Sequence, residues 1–195
     1  MSQPPTPSYE WTYSEYARFP DDGNRYEVID GEVLLTPAPS PRHQRVAFLF
    51  AMELHKYVNK HGLGEVLPDV DLLFVTGQFL RPDLLVVPAN ARQGVTDRGV
   101  EVPPLLIVEV LSPTSRSIDL VKKPRRYGDF GVPDYWVVDI PHRRVRVFRD
   151  PDPTATDPER AYRVDLIFEG DAAITTLTQP AATTTANAVL PPAGF

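Results

Sequence analysis

The chain has 195 residues, carries a formal net charge of −6, and is 42% hydrophobic and 24% charged. This composition is typical of a globular protein, and the length predicts a single domain over residues 1–195. The sequence contains no cysteine, which excludes disulfides and thiolate metal sites and fits a cytoplasmic protein. It also contains no run of about 18 apolar residues, so we expect no membrane span.

The N-terminal third predicts a short helix, a β-hairpin and a long helix. Thr12, with Glu15 three residues later, is typical of a helix-starting capping box. The segments RYEVI and EVLL flank Asp30-Gly31, a residue pair that favours a tight hairpin turn. Ser40-Pro41 then predicts the start of a helix that ends near His61. The apolar stripe of this helix consists of Val46, Leu49, Phe50, Leu54 and Tyr57.

The rest of the chain predicts strands with one short helix between them. The strands are expected at about 64–67, 70–75, 84–87 and 105–111, the helix at 124–130, and further strands at YWVVDI, RVRVFR and YRVDLIF. These elements predict an α+β fold in which helices flank a mixed central β-sheet. The core is expected over about 9–170, and the threonine- and proline-rich tail, about 175–195, is expected to be poorly ordered.

One carboxylate interrupts the most apolar of these strands. Glu109 stands inside LLIVEVL, where an ionised side chain is costly unless a cation meets it. Asp83 precedes the apolar run LLVV. If these two consecutive strands pair antiparallel, the start of one lies beside the end of the other, and both carboxylates reach the same edge of the sheet. The helix that follows would bring Lys122 and Lys123 to the same place.

Two carboxylates and an ammonium at one sheet edge suit phosphodiester hydrolysis. Magnesium prefers carboxylate, carbonyl and water oxygens, so Asp83, Glu109 and the backbone carbonyl of Val110 are candidate ligands, with Mn²⁺ as a second candidate ion. Such an ion would polarise a phosphoryl oxygen and acidify a bound water. A nearby lysine would orient that water or offset the charge that develops on the phosphate.

The same residues carry a family resemblance. RPDLLVV, followed by LIVEVLSPTSRSIDLVKKPRRYGDFGVPDYWVVD, resembles the PD-(D/E)XK nuclease superfamily and, within it, the bacterial Uma family of restriction-endonuclease-like proteins. The upstream segment YEVIDGEVLLTPAPSPRHQRV is similar to the same family, so the resemblance spans about residues 9–149. It implies a restriction-endonuclease-like core and a magnesium-dependent site that cleaves DNA.

The resemblance also implies roles for individual residues. Asp83 corresponds to the aspartate of the PD motif, and Glu109 to the acidic residue of the second half-motif. The lysine expected two positions after Glu109 is absent, since Leu111 stands there, and the resemblance points to Lys123 in the following helix as the catalytic lysine.

The choice between the two lysines depends on Pro124. A proline disfavours helical geometry in the residue before it, which keeps Lys122 as an alternative. If Pro124 is the first residue of its helix, Lys123 is an extended cap residue that turns back toward Glu109, and Lys122 points away. If the helix instead starts near Asp119 and runs through Pro124, the two roles could exchange.

Other candidate site residues have a plain structural alternative. Glu27 is either a further ligand of the metal or its water, or an exposed residue of the hairpin. His43 more often would be a helix-start hydrogen-bonding residue than a catalyst. Asp69 also follows a proline, but no comparable apolar strand follows it. Ser112 and Ser115 lack the surroundings of a hydrolase nucleophile.

Two function classes remain open. The first is a metal-dependent endonuclease that acts on DNA as a homodimer, so that two sites address two strands. The second is a nucleic-acid- or protein-binding module that retains the nuclease fold without turnover. The candidate DNA-binding residues are Arg116, Lys122, Arg125 and Arg126. The acidic net charge argues against strong binding of nucleic acid. Clusters of basic residues such as these are also often solvated faces of the protein.

Overall fold

A computed structural model describes residues 9–157, 160–176 and 183–190. The α-helices are α1 Tyr13–Tyr16, α2 Pro41–Lys60, α3 Lys123–Asp129 and α4 Ala186–Val189, with a 3-10 helix at Ala89–Gly94 and a π-helix at Ile118–Lys122. The strands are β1 Arg25–Ile29, β2 Glu32–Thr36, β3 Gly64–Pro68, β4 Leu72–Leu73, β5 Phe79–Leu80, β6 Leu84–Pro88, β7 Val95–Thr96, β8 Gly99–Val100, β9 Leu106–Val110, β10 Asp134–Asp139, β11 Arg144–Pro151, β12 Tyr162–Glu169, β13 Ala173–Thr175 and β14 Thr183–Thr185.

The central sheet is mixed, as predicted. Its strand order is β12-β11-β10-β9-β6-β3, in which β9 and β10 run parallel and the other neighbours antiparallel. A parallel pair needs a crossover, and the π-helix and α3 supply it between β9 and β10. Every residue of these two strands is buried, which explains their nearly continuous apolar sequence. A second sheet has the order β2-β1-β5-β4-β8-β7, and β13 pairs with β14.

Two apolar clusters cover the two faces of the central sheet. On one face, Val46, Phe50 and Leu54 of α2 pack with Val108 and Trp136. The other face packs residues from the alternate strand positions, such as Ile107 and Tyr135, with Tyr127 of α3. This alternation follows from the two-residue period of a strand. The sheet is therefore a rigid platform whose strand ends can hold a site.

The predicted hairpin and long helix are confirmed. Strands β1 and β2 pair antiparallel across Asp30 and Gly31, whose φ angles of 57° and 79° suit the tight turn. Helix α2 begins after Ser40, whose hydroxyl accepts a hydrogen bond from the His43 backbone N–H at 3.2 Å. The capping box of Thr12 and Glu15 is present at α1. By contrast, the strand expected over 70–75 is only the two-residue β4.

The expectation of a poorly ordered tail is wrong for the part of the tail that the structure describes. Thr183–Thr185 form β14, and α4 follows it directly. Ala186, Val189 and Leu190 are buried in the same cluster as α2. Small and apolar side chains here cover the sheet, which the threonine-rich composition concealed. Residues 177–182 and 191–195 of the predicted tail lie outside the described residues, and the single-domain organisation stays a prediction.

Candidate active site

The predicted antiparallel pairing of the two key strands is confirmed. Leu84 of β6 pairs with Val108 of β9, so the next residues outward are Asp83 and Glu109. The backbone N–H of Val110 donates a 2.8 Å hydrogen bond to Asp83 Oδ2, which holds the aspartate against the end of β9. Both carboxylates line one cavity.

Asp83 is a buried carboxylate with cationic and hydrogen-bonding neighbours. Its Oδ1 accepts from Arg25 Nη1 at 2.7 Å, and its Oδ2 lies 3.1 Å from His43 Nε2. Burial opposes its ionisation, but His43, Arg25 and the Val110 N–H outweigh burial and lower the pKa of Asp83. His43 therefore donates its backbone N–H to the Ser40 cap of α2 and reaches the cavity with its ring.

Glu109 has the opposite electrostatic character. Its Oε1 accepts hydrogen bonds from Lys123 Nζ at 2.7 Å and from the Tyr127 hydroxyl at 2.8 Å. Burial, followed by the charges of neighbouring carboxylates, raises the pKa of Glu109 to about 8, and Lys123 opposes that rise. Burial, rather than the charge of Asp83, is the main cause of this rise. Within the described part of the chain, no hydrogen bond reaches Oε2 of Glu109.

Lys123 is buried among three carboxylates. Besides Glu109, its Nζ lies 3.1 Å from Glu27 Oε1 and 3.2 Å from Asp119 Oδ1. Burial disfavours its charge, but Glu109, Glu27 and Asp119 outweigh burial and raise the pKa of Lys123 well above its ordinary value. Glu27 is 5% exposed, so the reading of it as an exposed hairpin residue is wrong. Its Oε1 also accepts from the Arg81 backbone N–H at 2.9 Å.

The backbone at the two lysines differs from the expectation. Lys123 is helical, with φ −63° and ψ −40°, so the predicted extended cap is wrong. The π-helix runs into α3 through Pro124, and the Lys123 N–H bonds five residues back to the Ile118 carbonyl. This wider turn accommodates a proline that lacks an N–H. Lys123 nevertheless still contacts Glu109.

Lys122 points to the protein surface. Successive helical residues project about 100° apart, so only one of the two lysines can face Glu109. The Nζ of Lys122 instead donates to Glu32 Oε2 at 2.7 Å on β2. The structure therefore brings Asp83, Glu109, Lys123, Glu27 and His43 together and leaves Lys122 outside.

The cavity has a volume of about 400 Å³ and opens beside the start of α2. Basic residues in its lining include Arg25, Arg42 and Arg81. Arg25 and Arg81 both contact Asp69, the competing PD aspartate, at 2.7 and 3.1 Å. Arg42 is exposed, and it has no ion-pair partner among the described residues. Hydroxyl groups of Ser112, Thr114 and Ser115 complete one wall.

None of the four predicted DNA-binding residues lines this cavity. Arg116 pairs with Asp139 at 3.2 Å, and Arg125 pairs with Asp129 at 3.1 Å. Arg126 pairs with Asp129 at 3.0 Å and also contacts Asp30. Together with the Lys122–Glu32 pair, these contacts neutralise the basic cluster with acids of the protein itself, which the linear sequence could not show.

Sequence reasoning missed several residues of the site. Asp119 had a usable signal, because it stands four residues before Lys123 in a helical segment. Arg25, Arg42 and Tyr127 gave no comparable signal. Arg25 of β1 and Arg42 of α2 line the cavity, and Tyr127 of α3 contacts Glu109. Only the tertiary arrangement of these elements brings the three residues together.

The fold of this chain is similar to that of a solved structure. A crystal structure described as a "putative nuclease belonging to DUF820 from Anabaena variabilis ATCC 29413" is similar over 91% of this chain and 96% of that chain, with a TM-score of 0.72 and 17% sequence identity. This likeness confirms the predicted fold.

The family follows from the sequence itself. The Uma2 family, described as "Putative restriction endonuclease", matches residues 13–177, and the chain belongs to this family. No match was found among curated proteins. In the part of the chain that the structure describes, the helices are too short or too polar to cross a membrane.

Proposed function

We propose that this protein hydrolyses phosphodiester bonds of DNA at the cavity, with Mg²⁺ or Mn²⁺ as its cofactor. The observation that carries the proposal is the convergence of Asp83 and Glu109 at one strand end, with Lys123 Nζ 2.7 Å from Glu109. Membership of a restriction endonuclease family supports the same reaction class.

The donor set at the strand end fits a hard divalent cation. Magnesium commonly takes only one or two carboxylates from a protein and completes its shell with water and phosphate oxygens. In the described residues, no three acidic or histidine side chains form a metal cluster, so the ion would depend on Asp83, Glu109 and the Val110 carbonyl. Both carboxylates line the cavity, and the Val110 N–H that bonds to Asp83 places the Val110 carbonyl at the same strand end.

Each residue then has a separate task. The bound ion would supply polarisation of a phosphoryl oxygen and a more acidic water. Lys123, fixed by three carboxylates, offers a permanent positive charge beside Glu109 that stabilises charge developing on the phosphate. Tyr127 holds Oε1 of Glu109 and so fixes the direction of the carboxylate. His43 and Arg25 fix Asp83 in the same way.

DNA is proposed to approach over the start of α2. Arg42 lines the cavity, is exposed, and has no acidic partner within the described chain, so its guanidinium is available for a backbone phosphate. The residues expected from sequence to bind DNA are paired with protein acids instead. We therefore assign the main phosphate contact to Arg42 rather than to Lys122, Arg125 or Arg126.

One observation favours the alternative of a binding module without turnover. Both oxygens of Asp83 already accept hydrogen bonds or ion-pair contacts, and the described residues contain no metal cluster. Such a module would bind DNA or a protein partner with a cavity neutralised by its own cations. It would not require a divalent ion.

A plasmid nicking assay separates the two functions. Wild-type protein is expected to nick DNA with Mg²⁺ or Mn²⁺ and not with EDTA. Lys123→Ala should lower the rate by about 10²–10⁴-fold, the usual contribution of a positioned catalytic group. Lys122→Ala is the matched control and should keep the wild-type rate, because its ammonium pairs with Glu32 at the surface. Full activity of Lys123→Ala would refute the assignment, and metal-independent DNA binding without nicking would support the binding module.

The proposal also covers the oligomeric state and the cellular location. We expect a homodimer, since two sites are needed to cut both strands in one encounter, and light scattering on the purified protein tests this. The cysteine-free sequence and a DNA substrate support a cytoplasmic location.

A further inference from the structure

The surroundings of Lys123 resemble those of a bound cation. Three carboxylate oxygens, from Glu27 of β1, Glu109 of β9 and Asp119 of the π-helix, lie 2.7–3.2 Å from its Nζ. The side chains of all four residues are at most 6% exposed. We call Glu27, Glu109 and Asp119 the carboxylate cage.

The cage places three acids around one ammonium. Each of the three carboxylates contacts the same Nζ atom, and none of their side chains is more than 6% exposed. The Oδ1 atom of Asp119 is buried and has no hydrogen-bond partner, although it lies 3.2 Å from Lys123 Nζ. A buried carboxylate oxygen that accepts no hydrogen bond, and shares its only nearby cation with two other acids, indicates a place where further positive charge would be favourable.

We propose that the Lys123 ammonium occupies a second cation position defined by the carboxylate cage, so that the native chain binds one divalent ion and Lys123→Ala binds two. The inference rests on the proposed function and deepens it, because it sets the metal stoichiometry of the site. Glu109 would serve both positions, since it contacts Lys123 in the cage and also lines the cavity with Asp83.

The dimensions and charge of the cage support binding of a divalent ion once the lysine is shortened. Oxygen ligands of divalent ions lie about 2.1–2.6 Å from the metal, so each oxygen needs to move inward by at most about 1.1 Å. Two of the three ligands are glutamates, whose side chains can make this adjustment. An alanine at 123 leaves room for the ion and its waters.

Counting Mn²⁺ ions on the full-length protein tests the proposal without any activity readout. Titration calorimetry and the electron paramagnetic resonance signal of free Mn²⁺ should give one ion per wild-type chain and two per Lys123→Ala chain. Lys123→Met is the matched control, since its apolar side chain still fills the cage, and it should bind no second ion. The double substitution Lys123→Ala with Asp119→Asn should lose the gained ion.

Thermal unfolding covers the case in which Lys123→Ala is unstable. Its melting temperature should rise by about 5–10 °C more than that of the wild type when Mn²⁺ reaches about 100 times its Kd, because binding to the folded state stabilises it. Two ions per wild-type chain, no gain in Lys123→Ala, or failure of that variant to fold at any Mn²⁺ concentration would overturn the proposal. A wild type that binds one ion but never nicks DNA would refute the proposed function and leave the cage intact. A wild type that binds no ion would also overturn the proposal, because the native chain is expected to bind one.

Discussion

The pKa of Glu109 gives a quantitative prediction about stability. The folded protein raises this pKa from the ordinary 4.5 to about 8. The folded state therefore holds a proton on Glu109 more tightly than the unfolded chain does. The resulting stability contribution is fully present below pH 4.5 and is lost as the pH rises through about 8.

The size of this effect follows from the shift. Each pKa unit corresponds to about 1.4 kcal/mol, so between pH 5.5 and 8.5 the wild type should lose about 3 kcal/mol through Glu109. Glu109→Gln keeps the shape of the side chain but has no proton to lose. We expect its free energy of unfolding, relative to wild type, to rise by about 3 kcal/mol over this range.

Urea unfolding in EDTA at several pH values measures this difference. Glu65→Gln is the matched control, because Glu65 is exposed on β3 and does not line the cavity. Its difference from wild type should stay constant with pH. The reasoning is refuted if the unfolding free energy of Glu109→Gln, relative to wild type, rises by less than about 1 kcal/mol between pH 5.5 and 8.5, or falls.

Substitutions at the cavity rim and in the core give three further expected outcomes. Arg42→Ala should weaken DNA binding and reduce the slope of the logarithm of the binding constant against the logarithm of salt concentration by about 1. Arg126→Ala should change neither quantity. Fluorescence anisotropy at several salt concentrations measures both variants. Phe50→Ala should lower the free energy of unfolding by about 3–5 kcal/mol in urea, because Phe50 is fully buried between α2 and the sheet. Leu190→Ala should cost about 2–4 kcal/mol, and a change under about 0.5 kcal/mol would mean that the tail does not pack on the core.

The main elements of the fold could be predicted because their signals are local. The turn pair Asp30-Gly31, the cap at Ser40 and the apolar stripe of α2 each act within a few residues of sequence. The pairing of β6 with β9 also followed from order along the chain, since consecutive strands often lie side by side. The position of Asp83 beside the end of β9 came from that pairing.

Predictions from local sequence failed at Pro124 and in the threonine-rich tail, because tertiary contacts decide the structure at both places. Pro124 predicted an extended Lys123, but the π-helix absorbs the proline and keeps the lysine helical, with its charge among three buried acids. The composition of the tail predicted disorder, yet Val189 and Leu190 are buried against the core. In both cases the free energy of burial and pairing outweighs a weak local preference.

The sequence by itself determined the strands, the long helix and the identity of the two acids that meet at one strand end. Only the tertiary structure decided which cations accompany them. Arg25 and Lys123 lie 58 and 14 positions from the carboxylates they pair with, and the basic residues near Lys122 are instead taken up by Glu32, Asp30 and Asp129. Charge pairing depends on distances of a few ångströms in space, and composition along a chain does not fix these distances.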